Sequence, residues 1–360
     1  MTSSPIRVAV VYGGRSSEHS ISCVSAGAVL SHLDPDRYEA IPVGITTSGK
    51  WTLGGDPETL KIKDRALPEV DANNPEVALA VNPQQRGQFR NLQGEVVAEV
   101  DVILPILHGR YGEDGTIQGL FELSGVPYVG PGVLASACGQ DKIYTRNLLR
   151  LAGLPLGKEV VLRKDEVLTA AQREYLGLPV FVKPARGGSS IGVSRVAHWD
   201  ELDAAIARAR AEDEQVLVEE EIQGVEVECG ILERPDGSLV ASVPAELVNV
   251  TEGSEGFYGF DTKYLDNVAS AKIPAALPDD AIEDIQTMAK QAFKVLGCTG
   301  ISRVDFFYTD NGPVVNEINT MPGFTPISMY PQVFAHSDIR YEELLDTLIQ
   351  TALAAPTSKI

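Results

Sequence analysis

Cysteine is scarce in this 360-residue chain, and its few cysteines are widely separated: Cys23, Cys138, Cys229 and Cys298. Because none of them forms a Cys-x-x-Cys pair, neither a zinc ribbon nor a dithiol redox motif is indicated. The chain also lacks a Gly-x-Gly-x-x-Gly dinucleotide fingerprint and a Walker A phosphate loop. A signal peptide and an apolar run of membrane-spanning length are missing too, so we expect a cytoplasmic protein that does not associate with membranes.

Basic residues are also in deficit. The sequence has 30 Lys and Arg against 50 Asp and Glu, which gives a formal net charge of −20. Nucleic-acid binding requires a basic surface, so we expect no nucleic-acid partner. Apolar residues make up 44% and charged residues 22%, values typical of a globular protein. At this length two or three domains are expected.

A hairpin pattern near the C-terminus carries the strongest functional signal. Two runs of β-branched and aromatic residues flank Asp310-Asn311-Gly312, a turn sequence that contains the required glycine. If those three residues form the loop, Asp305 lies opposite Glu317 and Arg303 lies opposite Asn319, all on one face. Carboxylate and amide oxygens gathered in this way suit Mg²⁺. An ordinary polar outer face is the alternative interpretation.

Two segments in the first third of the chain end in polar, glycine-rich turns. A strand over residues 6–12 runs through Gly13-Gly14 into a helix over 17–33, which carries Glu18 in its first turn. A second buried strand, over 100–107, ends at His108. Ligands of open α/β sheets gather at the carboxyl ends of strands, so these turns should share a cleft. Alternatively, Glu18 serves only the helix dipole, and His108 is a structural hydrogen-bonding group.

The middle of the chain offers a phosphate-binding loop. A strand over 179–182 delivers Lys183 to a loop with Gly187, Gly188, Ser189 and Ser190, whose backbone N–H groups and hydroxyls suit phosphate oxygens, although a structural loop is the simpler interpretation. Residues 46–99 are predicted to be a surface insertion with short strands. Other predicted strands cover 40–45, 215–221 and 227–232, and other predicted helices cover 141–153, 199–211, 279–296 and 341–354.

Five motifs in fixed order make the chain resemble the D-alanine–D-alanine ligase family of the ATP-grasp superfamily. They are Gly13-Gly14-x-Ser16-x-Glu18-His19, His108-Gly109-x-x-Gly112-Glu113-Asp114-Gly115, Gly188-Ser189-Ser190-x-Gly192-Val193, Asp261-x-Lys263-Tyr264 and Asn319-Thr320-x-Pro322-Gly323-Phe324-Thr325. The resemblance implies α/β and α+β structure. A Rossmann-like N-terminal α/β domain (1–130) would precede a two-lobed ATP-grasp domain, with a central lobe (131–217) and a C-terminal lobe (218–360).

The resemblance also implies which residues bind ATP and metal. Asp305 and Glu317 would hold one Mg²⁺, and Glu317 and Asn319 a second, with Mn²⁺ as a possible substitute. The implied ATP-binding residues are Lys142, Lys183, Ser189, Ser190, Glu219, Ile222, Glu226, Phe257, Lys263 and Phe307. Related enzymes often have Lys after Glu219, and the Glu220 found here puts that contact in doubt.

The implied reaction joins two D-alanine molecules through a D-alanyl phosphate, for peptidoglycan precursor synthesis. The implied substrate-binding and catalytic residues are Glu18 for the first ammonium, His108 for substrate, Ser328 and the Met329 N–H for the second carboxylate, Ser189 and Tyr264 as links from Glu18 to the loop, and Arg303 with the Gly323 N–H as oxyanion donors. Residues 252–267 would form a lid that excludes water. By resemblance we expect a homodimer.

Other functions remain open on the sequence. A related ligase could join D-alanine to D-lactate or D-serine, but Asp261-x-Lys263-Tyr264 favours an amine acceptor, because the D-lactate ligases lack this motif. Another ATP-grasp carboxylate–amine ligase is a further alternative. A ligand-binding module without turnover is disfavoured because every group needed for the reaction is present. A nicotinamide dehydrogenase is disfavoured because the dinucleotide fingerprint is missing.

Overall fold

The computed structural model describes residues 4–62, 66–248 and 270–355. The helices of this part of the chain are α1 His19–His32, α2 Thr116–Ser124, α3 Val133–Gln140, α4 Lys142–Leu151, α5 Ala170–Leu176, α6 Leu202–Glu212, α7 Asp279–Leu296, α8 Met329–Ala335 and α9 Tyr341–Ala354. The strands are β1 Ile6–Gly13, β2 Tyr38–Ile45, β3 Trp51–Leu53, β4 Ala78–Leu79, β5 Gln88–Arg90, β6 Val96–Glu99, β7 Val102–Ile106, β8 Glu159–Arg163, β9 Val180–Pro184, β10 Ser194–Val196, β11 Gln215–Glu220, β12 Val225–Glu233, β13 Leu239–Ala241, β14 Ala245–Val248, β15 Ser270–Lys272, β16 Ile301–Thr309 and β17 Gly312–Asn319.

The N-terminal part is built on a four-stranded sheet of order β3-β2-β1-β7. Strand β1 pairs in parallel with both β2 and β7, and its residues from Val8 to Gly13 are buried or nearly so. A parallel sheet covered on both faces requires such continuous apolar strands. The carboxyl ends of β1 and β7 therefore open on one edge, where the turn after Gly13 and the segment beginning at His108 lie. This confirms the predicted α/β unit.

Residues 46–99 differ from the expected surface insertion. They include β3–β6, and β4–β6 form a separate three-stranded sheet. Val77, Leu79 and Phe89 of this segment are buried in one cluster with the first sheet, and Leu60 packs with α1. The description as a purely surface feature is therefore wrong. Its strands are so short, two to four residues each, that few apolar side chains carry the packing, which leaves no readable periodicity.

The central lobe has a four-stranded antiparallel sheet of order β10-β9-β11-β8. Val180 and Val182 of β9 pack with Val216 and Val218 of β11 in a cluster completed by α6. Strand β9 is longer than predicted and contains Lys183 itself, so the lysine side chain has a rigid base. Strand β11 runs on to Glu220, past the boundary we placed at residue 217.

The C-terminal lobe contains a six-stranded sheet in which β15, β14, β12, β16 and β17 follow one another and β13 pairs with β12. The predicted hairpin is present as β16 and β17, but the turn is one residue shorter than expected, because Thr309 pairs with Gly312 rather than Pro313. A register shift between Asp305 and Phe306 compensates, as one extra residue in β17 bulges out. Asp305 consequently faces Glu317, as predicted.

Helices α8 and α9 join the C-terminal lobe to the N-terminal sheet. Tyr330 and Phe334 of α8 and Leu344 and Leu345 of α9 lie in the same buried cluster as Val8 of β1. The N-terminal sheet and the C-terminal lobe thus share a core, which fixes the first sheet's ligand edge relative to the hairpin. Among the described residues, no helix has both the length and the apolar character needed to cross a membrane.

Candidate active site

A cleft of about 1630 Å³ lies where the N-terminal domain, the central lobe and the C-terminal lobe meet. It is lined by all of the site residues predicted from the sequence that the structure describes: Glu18, His108, Lys142, Lys183, Ser189, Ser190, Glu219, Ile222, Glu226, Arg303, Asp305, Phe307, Glu317, Asn319, Gly323, Ser328 and Met329. Phe257, Lys263, Tyr264 and the proposed lid over 252–267 lie outside the described residues. Leu247 and Ala271, on either side of that segment, line the cleft.

Two lysines enter the cleft from different elements. Lys142 is the first residue of α4, whose N-terminus is capped by Asp141 through hydrogen bonds from two backbone N–H groups. Its Nζ donates to the Gly187 carbonyl at 2.7 Å. Burial lowers the pKa of Lys142, although the nearby Glu317 carboxylate opposes this. Lys183 Nζ lies 2.5 Å from Glu219 Oε2. Both cations are thus held beside the glycine-rich loop.

The glycine-rich loop contacts the N-terminal domain through Ser189. Ser189 and Ser190 have φ angles of +50° and +59°, a left-handed conformation uncommon for non-glycine residues. Ser189 Oγ donates to Glu18 Oε1 at 2.5 Å. Gly109 packs on the same carboxylate, and a Cβ there would lie 2.6 Å from Glu18 Oε2. The Glu18 carboxylate is therefore fixed between two segments that are far apart in sequence.

The hairpin presents the oxygen ligands that were expected for a metal. Asp305 Oδ1 and Oδ2 accept from Arg303 Nε and Nη2, both at 2.7 Å, and Oδ2 also accepts from Asn319 Nδ2 at 3.0 Å. Among the described residues, no group of three or more His, Cys, Asp and Glu side chains is arranged to hold a metal alone. Two carboxylates and an amide fit Mg²⁺ if phosphate oxygens supply further ligands.

An acid–base pair of buried His108 and partly buried Glu113 lines the cleft on the side of the N-terminal domain. His108 Nδ1 lies 3.6 Å from Glu113 Oε1 and 3.3 Å from the Met321 carbonyl. Burial alone would lower the pKa of His108, but Glu113 raises it and the net shift is upward. Burial raises the pKa of Glu113. His108 Nε2 is buried and has no hydrogen-bond partner in the described part of the chain.

Sequence reasoning gave no role to three charged residues that line this cleft. Glu113 belongs to the same sequence motif as His108, but the pairing of the two side chains depends on the turn between them. Glu228 Oε2 lies 3.0 Å from Arg303 Nε, and it sits directly opposite Asp305 across β12 and β16. Glu228 follows Glu226 by two positions on the same strand, so both side chains point to one face of the sheet, and this spacing could have identified Glu228 from the sequence. The third residue, Arg146, follows Lys142 by four positions on α4, which places both on one helix face.

Ser328 and Met329, at the start of α8, also line the cleft. Ser328 Oγ accepts from the Thr325 N–H at 3.1 Å and shares a hydrogen bond with Thr325 Oγ1 at 2.7 Å. Tyr341 of α9 donates its hydroxyl to the Phe324 carbonyl at 2.6 Å, which anchors the segment between β17 and α8. Gly323 lies in the same segment and also lines the cleft. The segment that carries Gly323 and Ser328 is therefore held by Thr325, which also lines the cleft, and by Tyr341.

This fold and site define a ligase of the ATP-grasp superfamily. The family model described as "D-ala D-ala ligase N-terminus" matches residues 7–131, and the model described as "D-ala D-ala ligase C-terminus" matches residues 148–350. The chain therefore belongs to the D-alanine–D-alanine ligase family, whose members make D-alanyl-D-alanine for peptidoglycan.

Curated relatives and solved structures agree with this membership. The D-alanine–D-alanine ligase of Corynebacterium diphtheriae is 63% identical over 97% of this chain and 95% of the relative, and that of Rhodococcus erythropolis is 57% identical over 99% of each. The VanG D-Ala:D-Ser ligase of Enterococcus faecalis superposes with a TM-score of 0.84 at 38% identity, covering 97% of this chain and 99% of that one. An ATP complex of the Bacillus anthracis D-alanine–D-alanine ligase gives 0.72 at 27% identity, with 97% of each chain covered.

Proposed function

We propose that the chain joins two D-alanine molecules into D-alanyl-D-alanine, with cleavage of ATP to ADP and phosphate. The observation that carries this proposal is the single cleft that contains lysines, paired carboxylates and the Glu18–Ser189 contact together. Its volume of about 1630 Å³ exceeds the roughly 300–1,000 Å³ of an ordinary small-molecule pocket. Such a cleft can hold a nucleotide and two amino acids at once.

The nucleotide would lie between the central and C-terminal lobes. Glu219 and Glu226 supply acceptors for the adenine amino group and the ribose, with apolar contacts from Ile222, Phe307 and Phe257. The phosphates would be held by Lys142, Lys183, Lys263, Ser189 and Ser190. When bound by Asp305, Glu317 and Asn319, two divalent cations, Mg²⁺ or Mn²⁺, would neutralise the phosphate charge and favour phosphoryl transfer.

In the first step the carboxylate of one D-alanine attacks the γ-phosphorus of ATP. The P–O bond to ADP breaks, and D-alanyl phosphate and ADP result. Glu18 binds the ammonium group of this D-alanine, since its carboxylate is fixed by Ser189 and faces the cleft. Because phosphoryl transfer depends mainly on alignment and charge neutralisation, holding the ammonium also orients the attacking carboxylate.

In the second step the neutral amine of the other D-alanine attacks the acyl carbon. Ser328 and the Met329 N–H hold its carboxylate. His108 lines the same cleft, and its buried Nε2 has no partner among the described residues. The Gly323 N–H and Arg303 donate to the oxyanion. Arg303 would donate through Nη1, because Nε and Nη2 already donate to Asp305. The Tyr264–Ser189–Glu18 network takes the amine proton, and phosphate then leaves.

The acceptor is the part of the proposal that needs a direct test, because the VanG structure belongs to a D-Ala:D-Ser ligase. An amine attacks only when it is neutral, whereas the hydroxyl of D-lactate does not titrate near neutral pH. Formation of D-alanyl-D-alanine should therefore fall as the pH drops below neutral. Products from mixed D-alanine, D-serine and D-lactate, measured by mass spectrometry between about pH 6 and 9, test this. A predominance of D-alanyl-D-lactate or D-alanyl-D-serine near pH 8 would contradict the assignment.

The reaction consumes ATP, so the enzyme would act in the cytoplasm, and we propose that it acts there as a homodimer. Light scattering coupled to size exclusion measures the oligomeric state. An ADP-release assay with D-alanine, run beside an NADH absorbance assay, separates ligation from the alternatives of dehydrogenation and of binding without turnover.

A further inference from the structure

A buried cluster of charged residues lies behind the proposed adenine site. Glu219 of β11 and Glu159 of β8 are directly opposite each other in an antiparallel pair, and both side chains are 10% exposed. Residues that face each other across such a pair have Cβ atoms about 4.5–5.5 Å apart, and like charges there are destabilising. A cation shared by the two carboxylates would relieve this repulsion.

Arg146 supplies that cation. Its side chain is only 4% exposed, and it forms an ion pair with Glu159 Oε2 through Nε. Nη1 lies 3.2 Å from Glu219 Oε1, and Nη2 donates to the Gly157 carbonyl at 2.8 Å. One planar guanidinium thus spans both carboxylates and a backbone carbonyl from three separate nitrogens, whereas a lysine ammonium has its donors on a single nitrogen.

Glu219 Oε1 retains capacity to accept another hydrogen bond. Oε2 is occupied by Lys183 Nζ at 2.5 Å. The Arg146 contact with Oε1 is an ion pair by distance, and among the described residues this buried oxygen has no hydrogen-bond partner. A carboxylate oxygen has two lone pairs. Glu219 lines the cleft, and two cations fix its carboxylate, so the carboxylate is suited to accept an N–H donor from a ligand.

We propose that Arg146 is a positioning residue for the nucleotide base: it bridges Glu159 and Glu219 and holds the Glu219 carboxylate where it accepts the exocyclic amino group of adenine. This inference rests on the proposed role of Glu219. A 6-oxopurine presents a carbonyl where adenine presents the amino group, and that carbonyl would face the carboxylate. The bridge therefore contributes to the choice of ATP over nucleotides such as ITP.

The test compares steady-state kinetics with ATP and ITP. Arg146→Met alone leaves two carboxylates facing each other and could fail to fold, so the informative variant is Arg146→Met with Glu159→Gln, in which that repulsion is removed. We expect this double variant to fold, to show a KM for ATP about tenfold higher, equivalent to about 1.4 kcal/mol, and to lose about tenfold in ATP-over-ITP preference. Its kcat should change much less than its KM.

Two further variants separate positioning from stability. Arg150 lies on the same helix, and its Nη2 contacts Glu159 Oε1 at 2.5 Å. It is half exposed, and in the described part of the chain it forms no hydrogen bond or ion pair with Glu219. Arg150→Met is the matched control and should leave both KM values and the ATP preference unchanged. Arg146→Lys keeps the positive charge but not the bridging geometry. Its KM for ATP should therefore lie between that of the wild type and that of Arg146→Met/Glu159→Gln.

The outcomes distinguish this inference from the proposed function. A wild-type enzyme that uses ATP and ITP equally well would overturn the role of Glu219 and, with it, this inference. A wild-type enzyme that prefers ATP, together with a folded Arg146→Met/Glu159→Gln variant that keeps the same preference and the same KM for ATP, would leave the proposed function standing and refute the role of Arg146. An equal rise in the KM for ATP and an equal loss of ATP preference in Arg150→Met would also refute the role of Arg146.

Discussion

The Ser189–Glu18 hydrogen bond is a contact whose loss should be measurable in the first step of the reaction. It joins the glycine-rich loop of the central lobe to the start of α1 at a separation of 2.5 Å. Ser189→Ala removes the donor and leaves the Glu18 carboxylate without it. A hydrogen bond to a charged group contributes about 1.5–3 kcal/mol. Because 1.4 kcal/mol is tenfold, kcat/KM for the first D-alanine should fall by about 10- to 100-fold.

A double-mutant cycle in the ADP-release assay tests this reasoning. Glu18→Gln removes the charge that we assign to the substrate ammonium, so it should cost more than Ser189→Ala. If the hydroxyl acts through Glu18, the double variant should be no worse than Glu18→Gln alone, within about 0.5 kcal/mol. Fully additive losses would show that the two residues act independently. A Ser189→Ala enzyme within twofold of the wild type would refute the contribution of the hydrogen bond altogether, twofold being only about 0.4 kcal/mol.

Backbone strain at Ser189 needs its own control. The φ angle of +50° favours glycine, so part of any loss in Ser189→Ala could come from the loop rather than from the hydroxyl. Ser189→Gly also lacks the hydroxyl but tolerates this backbone conformation. We expect Ser189→Gly to lose as much activity as Ser189→Ala. Its unfolding temperature should be equal to or higher than that of Ser189→Ala. Recovery of activity in Ser189→Gly would assign the effect to the backbone.

Two further predictions concern charged groups in the same cleft. Glu317→Gln removes one charge from the proposed metal ligands, so turnover should be lost while the unfolding temperature changes little. Near-normal activity at saturating Mg²⁺ would refute the assignment of Glu317 as a metal ligand. Glu113→Gln removes the carboxylate that raises the pKa of His108, whereas burial, which lowers it, remains. The pKa of His108, followed through its imidazole proton shifts by NMR titration, should therefore be lower than in the wild type, and an unchanged value would contradict the pairing.

The hairpin shows how far sequence reasoning reached. Alternation and the Asp310-Asn311-Gly312 signal predicted both strands and the pairing of Asp305 with Glu317. The turn itself was wrong by one residue, and the pairing survived only because a bulge in β17 restores the register. A bulge adds one residue to one strand without a distinct sequence signal. Alternation therefore located the functional face better than it located the turn.

Elements with long, strongly patterned sequences were predicted with accurate ends. Helices α7 and α9 begin and end at the predicted residues, and α1 differs by one or two positions. The charge network around Arg146 could not be predicted in the same way. Its partners, Glu159 and Glu219, lie on two strands whose pairing is decided by tertiary structure. Only the four-residue spacing of Arg146 from Lys142 was visible in the sequence.

The arrangement of charge explains how a chain with a net charge of −20 can bind a polyanion. Its cleft contains cations that are already engaged: Lys183 with Glu219, and Lys142 with the Gly187 carbonyl. Burial of an unpaired charge is costly, so these partners stabilise the lysines before a nucleotide arrives. Phosphates would then compete with those partners, while the carboxylates of Asp305 and Glu317 would repel them. Nucleotide affinity should consequently depend on a divalent cation between the hairpin and the phosphates, and not on the lysines alone.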